Sequence, residues 1–247
     1  MTDSLSLSGK HILITGGSSG IGRQCAIRAD QLGAYVTLVA RGEESMRETL
    51  SMTGRTGEHA YYVLDLNQTE AIEHLVEQIV RERGPVDGLC HAAGIGTVRM
   101  LRQTKPAFVE KMLRVHLYSF IELIRCLSLQ KNLNDGASLV GISSVAAEAG
   151  NMSQGAYAAA KAGMNGFIKP AALELAARGI RVNTVAFAAV DTPIHQNFLE
   201  SVNDKSILDR QRLGTIDAES AANAVMFLLS DACKYITGAV LPVYAGY

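Results

Sequence analysis

The sequence carries no excess of charge of either sign. Its 247 residues hold 23 Lys and Arg against 24 Asp and Glu, a formal net charge of -1, which argues against a nucleic-acid surface and against a charged interaction tail. Long apolar runs are missing as well. No stretch approaches the roughly 18 uninterrupted residues that would span a bilayer, and the opening MTDSLSLSGK has neither the cationic nor the apolar region of a secretory signal. Cysteine is scarce. Cys25, Cys90, Cys126 and Cys233 stand apart without C-x-x-C spacing, a pattern of isolated reduced thiols rather than of a disulfide framework or a zinc site. Internal repeats, low-complexity tracts and Pro/Ser linkers are absent too. Together these absences predict a cytoplasmic protein with no membrane span, no nucleic-acid partner and no metal, built as a single domain over residues 1–247.

What is present is a regular alternation. Apolar and β-branched runs at 11–15, 35–40, 59–66, 86–93, 137–143, 180–187 and 239–244 are separated by helix-length amphipathic segments such as 69–83, 108–129, 155–177 and 218–230. Continuously apolar strands joined by helical crossovers make a parallel sheet covered on both faces. The expected fold is therefore α/β, a Rossmann-type doubly wound parallel sheet of about seven strands. Residues 192–214 are too long and too irregular for an ordinary connection, and loops of that kind are usually lids or binding loops; this segment is the expected substrate loop.

Between the first strand and the first helix stands TGGSSGIG, residues 15–22. Glycines at 16, 20 and 22 permit a sharp turn and close approach of the backbone to a pyrophosphate, and the helix start offers free N–H groups. The strand-turn-helix context makes Gly16, Ser18, Ser19, Gly20, Ile21 and Gly22 candidate dinucleotide contacts. The second strand ends in Ala40-Arg41, with no carboxylate at the strand end and Glu43 and Glu44 two residues later. An acidic residue here would bind a ribose 2′-hydroxyl; an Arg accommodates a 2′-phosphate. NADP(H) is thus the expected cofactor, with NAD(H) as the alternative.

Residues 155–163 read GAYAAAKAG. Tyr157 and Lys161 lie at i and i+4, on one helix face. Alone, these nine residues read as an Ala-rich helix with two polar side chains on its rim. The rest of the chain changes that. With TGGSSGIG, Asp65-Leu66, Ala93-Gly94, Ser144 thirteen residues before Tyr157, the Y-x-x-x-K pair, DTP at 191–193 and YITGAVLPV at 235–243, the sequence resembles the short-chain dehydrogenase/reductase family over nearly its whole length.

That resemblance implies roles. Tyr157 would exchange the proton at the substrate oxygen. Lys161 would hold the nicotinamide ribose and lower the phenol pKa, and Ser144 would hydrogen-bond the carbonyl. Asp65 and Leu66 would line the adenine pocket, Ala92, Ala93 and Gly94 would run beneath the cofactor, and Val190 and Thr192 would meet the carboxamide. Simple electrostatics agrees in direction: a cation about 4 Å away at an effective dielectric near 20 is worth up to ~4 kcal/mol, or about three pKa units.

Four positions depart from the family. His91-Ala92-Ala93-Gly94 replaces N-N-A-G, Phe187-Ala188 replaces a P-G turn, and Tyr244-Ala245-Gly246 replaces D-G-G. His116, in VHLYSF, stands where the family carries a catalytic Asn; it is either a substitute proton relay, since imidazole titrates near neutral pH, or a buried ring bonded to backbone. The overall pattern is most similar to 3-oxoacyl-acyl-carrier-protein reductases. The implied function is NADPH-dependent reduction of a 3-oxoacyl or similar carbonyl on a small-molecule substrate that could be carrier-bound, with Arg99, Arg102 and Lys105 as candidate carrier contacts. The alternatives are an oxidative alcohol, sugar or steroid dehydrogenase, and a non-catalytic cofactor-binding regulator. His195 is either a substrate-loop contact or solvated. In the family, helices corresponding to 108–129 and 155–177 form a dimer face, which implies a homotetramer, or a dimer.

Overall fold

Strands that are apolar on both sides must be covered on both sides, and the arrangement of the chain follows from that. A computed structural model describes residues 4–55, 57–129, 131–196 and 210–247. Its strands are β1 (His11–Thr15), β2 (Tyr35–Ala40), β3 (Ala60–Val63), β4 (Val86–His91), β5 (Leu133–Ser144), β6 (Arg181–Phe187) and β7 (Val240–Val243). All neighbours are parallel, in the order β3-β2-β1-β4-β5-β6-β7.

Between them run α1 (Gly20–Gln31), α2 (Glu43–Ser51), α3 (Ile72–Arg83), α4 (Pro106–Leu113), α5 (Ser119–Ser128), α6 (Gly155–Leu175) and α7 (Ala218–Leu229). Alternate strand residues feed two cores. Ile12, Ile14, Val36, Leu38 and Cys90 pack with α1 and α7 on one side; Leu13, Val39 and Leu89 pack with α3, α5 and α6 on the other. This is the doubly wound sheet that the hydrophobic pattern predicts.

Strand order reverses between β1 and β4, and ligands of such sheets bind outside the carboxyl ends of the strands at that point. The register places Thr15 beside both Val39 and His91, so three strands end level there. Strand pairing stops at Val63 and at His91, short of the predicted 66 and 93, because the residues beyond leave the ladder and turn into a cavity.

The predicted helix 108–129 is interrupted. A π-helical turn, Arg114–Tyr118, separates α4 from α5, and such turns occur mostly at functional sites. Part of the expected substrate loop, including Phe198, Leu199, Glu200, Asp204, Lys205, Ile207, Leu208 and Asp209, lies outside the described residues. Among those described, no helix is long and apolar enough to cross a membrane. The four cysteines are free and buried. Glu73, Glu122 and Cys126 converge, and the Arg125 guanidinium sits among them at 2.7, 2.7 and 3.3 Å, so the cation there is the protein's own.

Candidate active site

The turn after β1 is shaped by what glycine lacks. Gly16 has φ +69°, and a β-carbon on it would lie 2.7 Å from the Ala93 nitrogen; one on Gly22 would collide with the Gly16 carbonyl oxygen. The ends of β1 and β4 and the start of α1 therefore meet backbone to backbone. Ser19 is the N-cap of α1 but makes no capping hydrogen bond, so the first-turn N–H groups stay uncommitted and face outward as an anion site. Arg23 braces the turn from below through the Ser18 carbonyl at 2.8 Å and is itself paired with Glu48 at 2.7 Å.

A cavity of about 790 Å³ opens over this turn. Every catalytic and cofactor-binding candidate of the sequence reading lines it: Gly16, Ser18, Ser19, Gly20, Ile21 and Gly22 at the cradle, Arg41, Asp65 and Leu66 at one end, Ala92, Ala93 and Gly94 along the floor, and His116, Ser144, Tyr157, Lys161, Val190 and Thr192 at the other end; the carrier candidates Arg99, Arg102 and Lys105 lie outside it. At the end formed by β2, Arg41 is exposed and has no hydrogen-bond or ion-pair partner among the described residues. Glu43 is occupied elsewhere. It accepts from Arg47 at 2.8 Å and from the Tyr61 hydroxyl at 2.9 Å, which leaves the cation as the free charge at the strand end.

The floor shows how His91 compensates for the absent amides. Ser119 donates to the Val115 carbonyl at 2.7 Å, so its oxygen is free to accept from His91 Nε2 at 3.3 Å. His91 Nδ1 then accepts from Thr15 Oγ1 at 2.9 Å, and Thr15 in turn receives the Ala93 N–H at 3.2 Å. Every donor has one acceptor, which fixes the Nε2–H tautomer. Burial, helped by the Lys161 ammonium, pushes the His91 pKa down to about 3. His91 is thus a neutral strut tying β1, β4 and α5 together beneath the floor.

Tyr157 and Lys161 project from the first turns of α6. The Lys161 ammonium is 5.7 Å from the centre of the Tyr157 ring and donates to the Ile142 carbonyl at 2.6 Å. Only 4% of the lysine is exposed, and burial drives its pKa down to about 7. The tyrosine departs from expectation. Its pKa is raised, because burial disfavours the phenolate, and only the hydrogen bond with Ser144 pulls it back. The expected large downward shift by Lys161 is corrected: the ammonium is desolvated itself and spends its close contact on Ile142. Ser144 ends β5, and its oxygen accepts from the Ala146 N–H at 3.1 Å, which holds the side chain in place and leaves its O–H free to donate.

His116 also differs from the relay expectation. The π turn carries its ring over Gly94, edge-on to the Tyr157 ring at 5.2 Å and 85°. It is 2% exposed. Burial and the Lys161 charge hold its pKa well below 6.5, against a weaker opposing pull from the Ile95 backbone. A ring in this state does not titrate near neutral pH, and its Nε2 faces the Ile95 backbone, which passes no proton onward. Of the two readings of His116, this geometry favours the neutral ring bonded to backbone.

On the far wall, Thr192 folds over Gly20, its methyl 3.2 Å from where a β-carbon would be. Val190 forms a parallel bridge with Ile216. Several lining residues escape sequence reasoning, Ile95, Gln211 and Tyr247 among them. Buried Gln211 clamps the turn after β6, accepting from the Ala189 N–H at 2.8 Å and donating to the Ala189 carbonyl at 3.2 Å; this replaces the bracing of a P-G turn. Tyr247 donates to Asn151 Oδ1 at 3.1 Å and receives Arg210 at 2.9 Å. Neither residue carries a motif; an aromatic in the tail is the single signal available. His195 lines the cavity as well. On the helix faces expected to meet another subunit, Phe120, Ile124 and Ala171 are buried in the chain's own core, and Gly163 accommodates Leu117 of the same chain.

A dinucleotide fits this site on three structural counts: the uncapped start of α1, the unpaired cation at Arg41, and a floor of small residues. Comparison with known proteins points the same way. The sequence model of the family described as enoyl-(acyl carrier protein) reductase matches residues 16–247. The chain is 34% identical over 246 residues to the 3-oxoacyl-acyl-carrier-protein reductase of Pseudomonas aeruginosa, covering 98% of each. A dehydrogenase/reductase from Sinorhizobium meliloti 1021 superposes with a TM-score of 0.89 at 30% identity, over 98% of this chain and 96% of that one. A short-chain dehydrogenase/reductase from Serratia marcescens superposes at 0.88 with 26% identity, over 97% of this chain and 98% of that one.

Proposed function

This chain belongs to the short-chain dehydrogenase/reductase family and is an oxidoreductase; on that premise we propose that it reduces the ketone of a 3-oxoacyl or similar substrate to an alcohol, with NADP(H) preferred. The observation that carries this reading is the placement of Tyr157, Ser144 and Lys161 together in the cavity that the glycine turn opens into. The Ser144 and Tyr157 hydroxyls line the same end of the cavity and can address one oxygen atom. That suits a carbonyl, whose oxygen gains charge during reduction, better than a carbon–carbon double bond.

The bound nicotinamide supplies the hydride. Ser144 donates to the carbonyl oxygen and polarises it. Tyr157, kept protonated at neutral pH by its raised pKa, delivers the proton to that oxygen. Lys161, when charged, stabilises the phenolate left behind, and the same ammonium holds the ribose. Gly16 to Gly22 would seat the pyrophosphate, Arg41 would pair with the 2′-phosphate, Asp65 and Leu66 would flank the adenine, and Val190 and Thr192 would hold the carboxamide. His116 positions these groups as a neutral ring. The exposed Arg99, Arg102 and Lys105 form the cationic approach for a carrier-bound substrate.

The similarity to the Pseudomonas aeruginosa reductase supports this substrate class. We further propose a homotetramer, with a dimer as the alternative, through the faces of α4, α5 and α6 that stay partly exposed, and a cytoplasmic location, in keeping with four free thiols. The test is Tyr157→Phe. We expect kcat for a 3-oxoacyl thioester to fall about 10³-fold, within the 10²–10⁴ range of general acid catalysis, with NADPH affinity unchanged. Retained activity in that variant, or tight NADPH binding without turnover of any ketone by the native protein, overturns the reading.

A further inference from the structure

His116 is a buried ring at the site with a ring nitrogen that has no hydrogen-bond partner among the described residues. Its Nε2 lies 3.1 Å from the Ile95 carbonyl oxygen and 3.3 Å from the Ile95 nitrogen. A neutral ring has one N–H. If Nε2 carries it, the ring donates to the carbonyl and the Ile95 N–H is left over. If Nδ1 carries it, Nε2 accepts from the N–H and the carbonyl is left over. Nδ1 itself, pressed against Gly94 where a β-carbon would lie 3.0 Å away, has no hydrogen-bond partner among the described residues in either case.

Each tautomer therefore satisfies one Ile95 group and strands the other, and neither gains at Nδ1. The group left over in either case belongs to Ile95, which lines the cavity, so neither tautomer is singled out by a second hydrogen bond. Protonating both nitrogens is barred. The groups packed around the ring are the Lys161 ammonium, the Tyr157 phenol and the His91 imidazole, and none supplies a negative charge. Contrast His91, whose four linked hydrogen bonds admit one tautomer.

Ile95 and Gly94 both line the cavity. We propose that His116 and the Ile95 backbone form an adaptable docking point: bound nucleotide takes one of the two Ile95 backbone groups, and His116 changes tautomer to take the other. The inference rests on the cofactor reading above. It makes His116 a positioning residue whose Nε2 can serve either a donor or an acceptor.

The test is nitrogen NMR of protein labelled in the histidine rings, with His116 assigned by the signal lost in His116→Gln. We expect the His116 nitrogens to stay at neutral-ring shifts from pH 5.5 to 8.5 and to average between tautomers in the free protein. Saturating NADPH should move the pair to one tautomer. An imidazolium signal growing in as pH falls through 6, or an unchanged pattern with NADPH bound as seen by its fluorescence, overturns the inference alone. Absence of NADPH binding overturns the cofactor reading and this inference with it. As a second arm, His116→Gln keeps a donor and an acceptor and should hold NADPH within about threefold of native affinity, while His116→Phe fills the space without hydrogen bonds and should weaken it about tenfold. Equal affinities for Gln and Phe count against the proposal.

Discussion

The two ends of the cavity are built on opposite principles. At the β1–β2 end the ligand surface is largely main chain, exposed by the absence of side chains at Gly16 and Gly22 and by an uncapped helix, with Arg41 as its one cation among the residues predicted from the sequence. At the β4–β6 end it is side chains, Ser144, Tyr157, Lys161 and His116, set by burial and, for Ser144, Lys161 and His116, by bonds to backbone N–H and carbonyl groups. Backbone recognition is indifferent to pH and intolerant of added atoms. Side-chain recognition tolerates atoms but depends on protonation. The difference explains why the departures from the family cluster at the second end: Gln211 and His91 rebuild bracing there with new side chains, whereas no side chain can replace a missing β-carbon clearance.

Gly22→Val should break the first end. A branched side chain against the Gly16 carbonyl opens the turn, and NADPH affinity should fall on the order of 100-fold while the melting temperature, measured alongside, shows the rest of the sheet still folded. Arg41→Ala is smaller. Loss of charge-assisted bonds to a phosphate should cost NADPH about 10–100-fold and leave NADH nearly unaffected, read by fluorescence titration of both nucleotides; parallel losses for the two would remove Arg41 from cofactor choice.

The second end should answer to pH instead. Lys161 has a pKa near 7 and is charged below it, and the charged form is the one that stabilises the phenolate. For reduction, kcat/KM should therefore be level below about pH 7 and decline towards tenfold per unit above it. Lys161→Arg, charged at every accessible pH, should lose that inflection. A native profile flat from pH 6 to 9 would separate the lysine from the proton chemistry. The smallest effect belongs to neither end. Ala245 sits at φ +52° without being glycine, so Ala245→Gly should relieve left-handed strain in excess of its entropy cost and add about 0.5 kcal/mol, seen as a melting-temperature gain of about 1–2 °C.

Most of the first end was legible in the sequence. Glycine spacing, strand-turn-helix context and the Ala40-Arg41 strand end are local, and local signals survive in a linear text. The positions of Ser144, Tyr157 and Lys161 were legible for the same reason, since helix pitch and a fixed spacing place them. Their electrostatics was not. Lys161 donates to Ile142, nineteen residues earlier, and the burial that raises Tyr157 and lowers Lys161 is a property of the closed cavity. His116 was visible as a substitution, but its neutrality depends on Lys161 and on packing over Gly94. Gln211 and Tyr247 reach the cavity from the far end of the chain through contacts that no periodicity announces.

The π turn at Arg114–Tyr118 gives the second end its aim. Such turns amount to one residue more than an uninterrupted helix would hold. The wider turn absorbs that extra residue, so Pro106–Leu113 and Ser119–Ser128 keep their faces toward the same neighbours. Removing a single residue from the turn would restore a regular helix with both flanks still in phase, and the loss would fall on the bulge itself, which carries His116 over Gly94. The extra residue works as a local outward step in an otherwise unbroken helix, spent where the cavity needs a ring.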